Sequence, residues 1–153
     1  MDWYYPVLSG AIDGDDAHKR IVARWDEFVM PGHGVRCVSD RPWVTAAETC
    51  ECAIAVLATG DRQGALDLFR WAQALRDDDG RYFTGIVFPE LVHYPGDERT
   101  AYTAAAVILA ADALEGVNPT SGLFLPDQVV RSSTRSEPVA VRSSKRPEAR
   151  AGR

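Results

Sequence analysis

Two glutamates lie three residues apart in a segment that is otherwise apolar and rich in alanine. Glu48 and Glu51 belong to "TAAETCECAIAVLA" (residues 45–58), near the start of a predicted helix. Residues at positions i and i+3 share one face of a helix. Two such carboxyl groups can act as general acid and base on a sugar or on an allylic group. We therefore take Glu48 and Glu51 as the candidate catalytic residues.

Each glutamate also has a structural interpretation. The stretch "Thr45-Ala-Ala-Glu48" is typical of a capping box, with Thr45 as the N-cap and Glu48 reaching back to its amide. Glu51 lies beyond the reach of this cap. It either forms a salt bridge or faces a cavity, because buried acids are usually paired or functional. The candidate salt-bridge partners are Arg36, Arg41 and Arg99.

Aromatic residues recur along the chain and could together line a cavity. The longest connection between predicted helices, "FTGIVFPELVHYPG" (residues 83–96), carries aromatics and a histidine. Long loops of this type are often binding loops. Aromatic rings stabilise carbocations and stack on sugars, although large aromatics are equally suited to core packing. The candidate substrate-binding residues are Trp3, Tyr4, Trp43, Tyr82, His93 and Tyr102.

Two further clusters contain metal-ligating residue types. In "Cys50-Glu51-Cys52" the two thiols point about 200° apart on a helix, so they do not easily reach one zinc ion. The run "DDDG" (residues 77–80) lacks the alternating ligands and distant glutamate of a calcium loop. It predicts instead a turn with Gly80 at a positive φ. The sequence therefore predicts no metal site, and it identifies no cofactor.

The elements that must position these residues form an internal repeat. Most equivalent positions are 46 residues apart, while Thr45 and Thr100 are 55 apart because a loop is enlarged. The pairs at the shorter offset are Gly14-Asp15 with Gly60-Asp61, Trp25 with Trp71, Leu8 with Ile54 and Ala11 with Leu57. A repeat of this length predicts similar pairs of helices placed side by side.

Two kinds of helix alternate in this repeat. The segments "DDAHKRIVARWDEFV" and "DRQGALDLFRWAQALR" have one apolar stripe and a charged back, which is typical of outer helices. The segments "TAAETCECAIAVLA" and "TAYTAAAVILAADAL" are apolar nearly all round, which predicts inner helices enclosed by others. "YYPVLSGAI" takes the equivalent inner position before the first outer helix. This order favours two concentric helical layers, with "GVRCVS" and "RYFTGIVF" as short β-like segments at the mouth.

Charge divides the chain into two parts. The 153 residues carry a net charge of −5. Residues 1–116 hold 19 acids and 10 Lys/Arg, whereas residues 117–153 hold 3 acids and 7 Lys/Arg. We expect an acidic body (1–116) that does not bind nucleic acid, and a disordered basic tail (117–153). No apolar run is long enough to span a membrane, and three cysteines without a disulfide framework favour a cytoplasmic location.

Several of these segments resemble a known group of proteins. "ALRDDDGRYFTGIVFP" resembles the Asp-Gly repeat of terpenoid cyclases and protein prenyltransferases, with Tyr82 or Phe83 where tryptophan is usual. "DWYYPVLSGA" and "RTAYTAAAVILAADAL" resemble the C-terminal part of bacterial prenyltransferase-like proteins, which are also similar to six-hairpin glycosidases. The resemblance covers about residues 2–116. It implies an all-α fold, a partial (α/α) toroid of about two and a half helical hairpins with short β-like loop segments.

The resemblance also implies a function. It favours a prenyltransferase-like or terpenoid-cyclase-like transferase, a C-terminal fragment whose aromatic cavity takes an isoprenoid or other apolar substrate. The alternatives are a six-hairpin carbohydrate-active enzyme that uses the inner-helix carboxylates, and a non-catalytic helical-repeat binding module. An incomplete ring exposes the edges of its inner helices, so we expect self-association or a partner that completes it.

Overall fold

The computed structural model describes residues 2–126, which form helices and short strands. The helices in this range are α1 (Tyr5–Leu8), α2 (Gly14–Phe28), α3 (Ala46–Ala58), α4 (Arg62–Ala72) and α5 (Ala101–Glu115). The strands are β1 (Val29–Met30), β2 (Gly34–Arg36), β3 (Trp43–Thr45), β4 (Gly85–Val87) and β5 (Val92–Tyr94). A 3₁₀ turn, Gln73–Leu75, follows α4.

The five strands form one antiparallel sheet in the order β1-β2-β3-β4-β5. Strands β3 and β4 pair although α3 and α4 lie between them in the chain, with Thr45 opposite Gly85. Glycine is required at position 85, because a Cβ atom there would collide with the Val44 carbonyl oxygen. The expected all-α fold, a partial (α/α) toroid, is therefore wrong: the chain combines α-helices with an antiparallel sheet.

The sequence indicates two β-like segments, but it does not predict that five strands join into one sheet, because the strands are only two or three residues long. The alternation of apolar and polar residues that identifies a strand needs a longer run to be visible. "GVRCVS" and "RYFTGIVF" are predicted to be short β-like segments at the mouth of the helical layers. In the structure they contribute β2 and β4, which pair with β3 and β5.

Helix α3 lies at the centre of the core. It packs against α1, α4, α5 and β2. Every residue of α3 except Glu51 is buried. The prediction that this alanine-rich helix is enclosed by other elements is confirmed. As a result, Glu51 is the one position from which α3 presents a side chain outside the packed core.

Helix α5 packs on α3 with one face and leaves another open. Its buried residues are Thr103, Ala106, Val107, Ala110, Ala113 and Leu114. Tyr102, Ile108 and Leu109 are exposed, Ile108 to 67%. The expectation that α5 is enclosed all round does not hold among residues 2–126. No helix in this part of the chain combines the length and apolarity needed to cross a membrane.

The segments on either side of the helical core are tied to it. Near the start of the chain, Trp3 is buried and stacks on Phe28 of α2 at 5.3 Å between ring centroids. After α5, whose C-cap Gly116 has the left-handed conformation, Phe124 and Leu125 pack against the core. Residues 127–153, the larger part of the predicted basic tail, lie outside the described residues.

The carboxylate of Asp112 anchors the segment that follows α5. It accepts hydrogen bonds from the side chains of Asn118 (2.6 Å), Thr120 (2.6 Å) and Ser121 (3.0 Å). These hydrogen bonds lower the pKa of the Asp112 carboxyl group, Thr120 making the largest contribution. Phe124 is thereby held beside α1 and α5, where it contributes to the site described next.

Candidate active site

Glu51 is surrounded by three tyrosine hydroxyl groups. Its Oε2 atom accepts hydrogen bonds from the hydroxyls of Tyr4 (2.9 Å) and Tyr5 (3.0 Å). Its Oε1 atom accepts one from Tyr102 (2.5 Å). Both carboxylate oxygens are therefore used as hydrogen-bond acceptors. No salt bridge to Glu51 is found among the described residues; Arg99, one proposed partner, pairs with Asp77 at 2.7 Å.

Two helices, α1 and α5, supply these tyrosines, and a third, α3, carries Glu51. Tyr4 and Tyr5 lie at the start of α1, whose first turn contains a proline. Tyr102 is in the first turn of α5, two residues after the N-cap Thr100. The Thr100 hydroxyl accepts a hydrogen bond from the amide of Thr103 and so fixes this turn. Because α1 and α5 both pack against α3, their first turns converge on the Glu51 side chain.

The three phenols remain protonated donors well into the alkaline range. Burial raises the pKa of Tyr4, Tyr5 and Tyr102, and the nearby charge of Glu51 raises each further. Burial is greatest for Tyr4, whose side chain is 0% exposed. The tyrosine hydroxyls therefore keep their protons for hydrogen bonding to Glu51 at neutral pH.

A cavity of about 270 Å³ opens beside this cluster. Tyr5, Glu51 and Tyr102 form its polar wall, and the rest of its lining is apolar. The apolar residues are Leu8, Ile54, Ala105, Ala106, Leu109 and Phe124. Glu51 carries the one carboxyl group among these described lining residues. The cavity therefore combines a single anionic group with a largely hydrocarbon surface.

Glu48 occupies a different position from Glu51. It is 9% exposed, it is not among the residues lining this cavity, and its carboxylate accepts a hydrogen bond from the Thr45 hydroxyl. The predicted capping box is not formed, because the Thr45 side chain makes no cap hydrogen bond to the helix. The charge of Glu48 nevertheless contributes to the raised pKa values of Tyr4 and Tyr5, so it lies near the cluster.

Of the remaining candidate binding residues, none lines the Glu51 cavity. Trp3 is packed on Phe28 in the core. Trp43 stacks on Tyr94 at 4.4 Å, and His93 stacks on Phe83 at 3.5 Å, both beside the sheet. Tyr82 donates to the side-chain oxygen of Gln73 (2.6 Å) and lines a separate cavity next to α5.

The cysteines and the acidic turn hold no metal cluster. Burial raises the pKa of Cys50 to about 12 and also raises that of Cys52, as expected for core thiols. No group of three His, Cys, Asp or Glu side chains within residues 2–126 could hold a metal ion. The prediction of a turn at 77–80 is confirmed, because Gly80 has a φ of +83° and the Asp77 carboxylate accepts from the Arg81 amide (2.8 Å).

Sequence reasoning missed Tyr5, although the internal repeat carried the signal. The offset of 46 residues that relates Leu8 to Ile54 also relates Tyr5 to Glu51. The later offset of 55 residues continues both series to Ala106 and Leu109. All six positions line the cavity. Repeat-equivalent residues thus face one space, which identifies Tyr5 as a neighbour of Glu51.

Comparison with known proteins adds chemical information. No protein-family model matches the chain. A curated protein from Mycolicibacterium hassiacum (strain DSM 44199 / CIP 105218 / JCM 12690 / 3849), described as an MMP endo-(1,4)-3-O-methyl-alpha-D-mannosidase, is 52% identical over 124 residues. The alignment covers 81% of this chain and 34% of the relative, so the chain spans about a third of the relative's length. An alignment of 124 residues in this chain necessarily includes residues 30–124, and therefore Glu51.

This similarity corrects the family and function expected from the sequence. The relative is a carbohydrate-active hydrolase, so the prenyltransferase-like or terpenoid-cyclase-like assignment, its transferase chemistry and its isoprenoid substrate are wrong. The misleading signal was the "DDDG" turn, whose Asp77 serves to hold Arg81 and Arg99. The alternative of a carbohydrate-active enzyme agrees better with the relative.

Proposed function

We propose that this protein is a glycoside hydrolase that cleaves α-linked mannose polysaccharides carrying O-methyl groups, with Glu51 as its catalytic carboxylate. The observation that carries the proposal is the cluster in which three tyrosine hydroxyls hold both oxygens of Glu51 beside an open cavity. The 52% identity to an endo-mannosidase supports the choice of substrate class.

Glu51 suits the role of a base better than that of an acid. Its two oxygens accept three hydrogen bonds, which orient the carboxylate to take a proton from a water molecule as the water oxygen bonds to the anomeric carbon. The bond between that carbon and the glycosidic oxygen breaks, and the leaving oxygen takes a proton from solvent, because Glu51 is the one carboxyl group among the described residues that line the cavity. The carboxylate charge also stabilises the oxocarbenium-like transition state.

The remaining candidate residues fit supporting roles. Tyr4 and Tyr102 orient Glu51 through their hydroxyl groups. Glu48 acts as a positioning residue: it is bound by Thr45 at the start of α3 and contributes negative charge near Tyr4. Trp3, Trp43, Tyr82 and His93 serve packing, because each is engaged by a ring or by a side-chain partner away from the cavity.

A cytoplasmic location forms part of the proposal. Cys50 and Cys52 are both buried in the core as free thiols. Thiols that stay reduced are usual in a reducing compartment.

Hydrolysis of a defined oligosaccharide tests the proposed function. We expect wild-type protein to release reducing ends from an α-(1→4)-linked 3-O-methyl-D-mannose oligosaccharide. Glu51→Gln should lower the rate by about 10³-fold, the usual size of a lost general base, while binding of the oligosaccharide is retained. Gln63→Ala, on the exposed surface of α4, is the control and should match wild type. Hydrolysis by Glu51→Gln at the wild-type rate would contradict the catalytic role of Glu51. If the wild-type protein neither binds nor hydrolyses the oligosaccharide, the proposed function is wrong.

A further inference from the structure

Two layers of residues can be distinguished in the Glu51 cavity. The polar layer consists of Tyr5, Glu51 and Tyr102. Three residues after Tyr5 on α1 comes Leu8, and three residues after Glu51 on α3 comes Ile54. Leu109 follows the repeat-equivalent Ala106 on α5 by the same interval. Three helical residues correspond to a rise of about 4.5 Å, so Leu8, Ile54 and Leu109 form an aliphatic layer about one turn beyond the level of Tyr5, Glu51 and Ala106.

This aliphatic layer is unsuited to an ordinary sugar. Leu8, Ile54 and Leu109 offer no hydrogen-bond partner, and a sugar hydroxyl buried against them would lose its bond to water. A methyl ether has no hydroxyl proton to satisfy and adds apolar surface. It would therefore gain from the same contact through the hydrophobic effect.

We propose that Leu8, Ile54 and Leu109 form an apolar floor that selects O-methylated mannose units at the Glu51 site. This inference rests on the proposed function and names the part of the site that distinguishes a methylated from an unmethylated sugar. The polar layer binds the hydroxyl groups and the apolar floor receives the methyl group. Leu109 is the best residue to alter, because it is 37% exposed and its replacement spares the core.

The test compares the binding of two monosaccharide probes, methyl 3-O-methyl-α-D-mannoside and methyl α-D-mannoside, by titration followed with NMR. We expect the wild-type chain to bind the methylated probe about fourfold more tightly, which is ~0.8 kcal/mol for one buried methyl group converted to a ratio of dissociation constants. Leu109→Asn should reduce this ratio to about one. Leu109→Ala, which removes the aliphatic contact without adding a polar group, should lower it to a similar extent.

Ile108→Asn is the matched control, because Ile108 is the neighbouring residue on α5 and lies outside this cavity. It should leave the fourfold preference intact. Equal binding of the two probes to wild type, or an unchanged ratio in both Leu109 variants, would overturn the inference while leaving the proposed function standing. If neither probe binds to wild type, the proposed function fails, and the apolar floor fails with it.

Discussion

Around Glu51, tyrosines from α1 and α5 direct their hydroxyl groups at one carboxylate. Beside the sheet, aromatic side chains face one another instead: Trp43 stacks on Tyr94, and Phe83 packs against both His93 and Arg99. The first arrangement leaves the Glu51 carboxyl group beside a cavity. In the second arrangement, the ring faces are covered by other side chains. Two regions with similar aromatic content are therefore expected to respond differently to mutation, one in activity and the other in stability.

The largest effect is expected from Tyr4→Phe. The Tyr4 hydroxyl is buried and donates to Glu51, and a hydrogen bond to a charged group contributes ~1.5–3 kcal/mol. The variant should lower the free energy of unfolding by about that amount and reduce oligosaccharide hydrolysis roughly tenfold or more. Urea denaturation and a reducing-end assay measure the two effects. A stable variant with unchanged turnover would mean that Glu51 does not depend on this hydroxyl.

On the sheet side, Phe83→Leu should lower stability and spare the site. The ring of Phe83 stacks on His93, and the Arg99 guanidinium lies 3.9 Å from its centroid. Loss of the aromatic and cation–π contacts should cost ~1–2 kcal/mol in the free energy of unfolding. Val92→Ala, at an exposed position on β5, is the control and should change it by less than about 0.5 kcal/mol. If Phe83→Leu instead abolished sugar binding, the sheet aromatics would belong to the site.

Tyr102→Phe should affect catalysis more than stability. Tyr102 is 53% exposed, so its hydrogen bond to Glu51 is partly screened by solvent. We expect hydrolysis to fall by about fivefold, with little change in the urea midpoint. Tyr94→Phe on β5 makes the same chemical change beside the sheet and should leave the rate at the wild-type value. If Tyr102→Phe and Tyr94→Phe lowered the hydrolysis rate equally, the Glu51 cluster and the sheet aromatics would not differ in function.

The smallest expected effect is on the free energy of unfolding at alkaline pH. The raised pKa values of Tyr4, Tyr5 and Tyr102 mean that the folded state holds these protons more strongly than the unfolded state. Their contribution to stability is therefore complete below about pH 10, the usual pKa of tyrosine, and is lost as the pH rises above it. Cys50 and Cys52 give a loss of the same sign that begins nearer pH 9.

Urea midpoints measured between pH 8 and pH 11 should decline less steeply above pH 10 in Tyr102→Phe than in wild type. The thiol contribution is common to both proteins and cancels in the comparison. Parallel declines would show that the Tyr102 phenol titrates normally in the folded protein.

The helical part of this molecule was accessible from sequence because its signals are local and repeated. The buried α3 and the turn at Gly80 both follow from periodicity and residue chemistry. Glu51 was identifiable as an acid in an apolar helix. Tyr4 and Tyr102 were among the candidate binding residues, and the 46-residue repeat related Tyr5 to Glu51. The sequence did not show that the three hydroxyl groups meet at one carboxylate, because that depends on how α1 and α5 pack against α3.

The sheet and the family were missed for different physical reasons. The pairing of β3 with β4 joins residues about 40 positions apart through strands of three residues each, and short strands carry no readable alternation. The family was misjudged because an Asp-Gly turn and alanine-rich helices reflect backbone geometry and close packing, which unrelated activities share. Glu51, a single acid in an apolar helix, indicated the chemistry better than the Asp-Gly turn did.

The most direct test of the account asks whether a sugar reaches Glu51. Protein labelled with ¹³C at glutamate carboxyl groups gives one signal for each glutamate, and Glu51→Gln identifies the signal of Glu51 by its disappearance. Addition of methyl 3-O-methyl-α-D-mannoside should shift the Glu51 signal in a saturable manner, while the signal of Glu90, on the exposed loop before β5, stays constant. A Glu51 signal that does not move at any sugar concentration would contradict the claim that this carboxylate is the centre of a carbohydrate site.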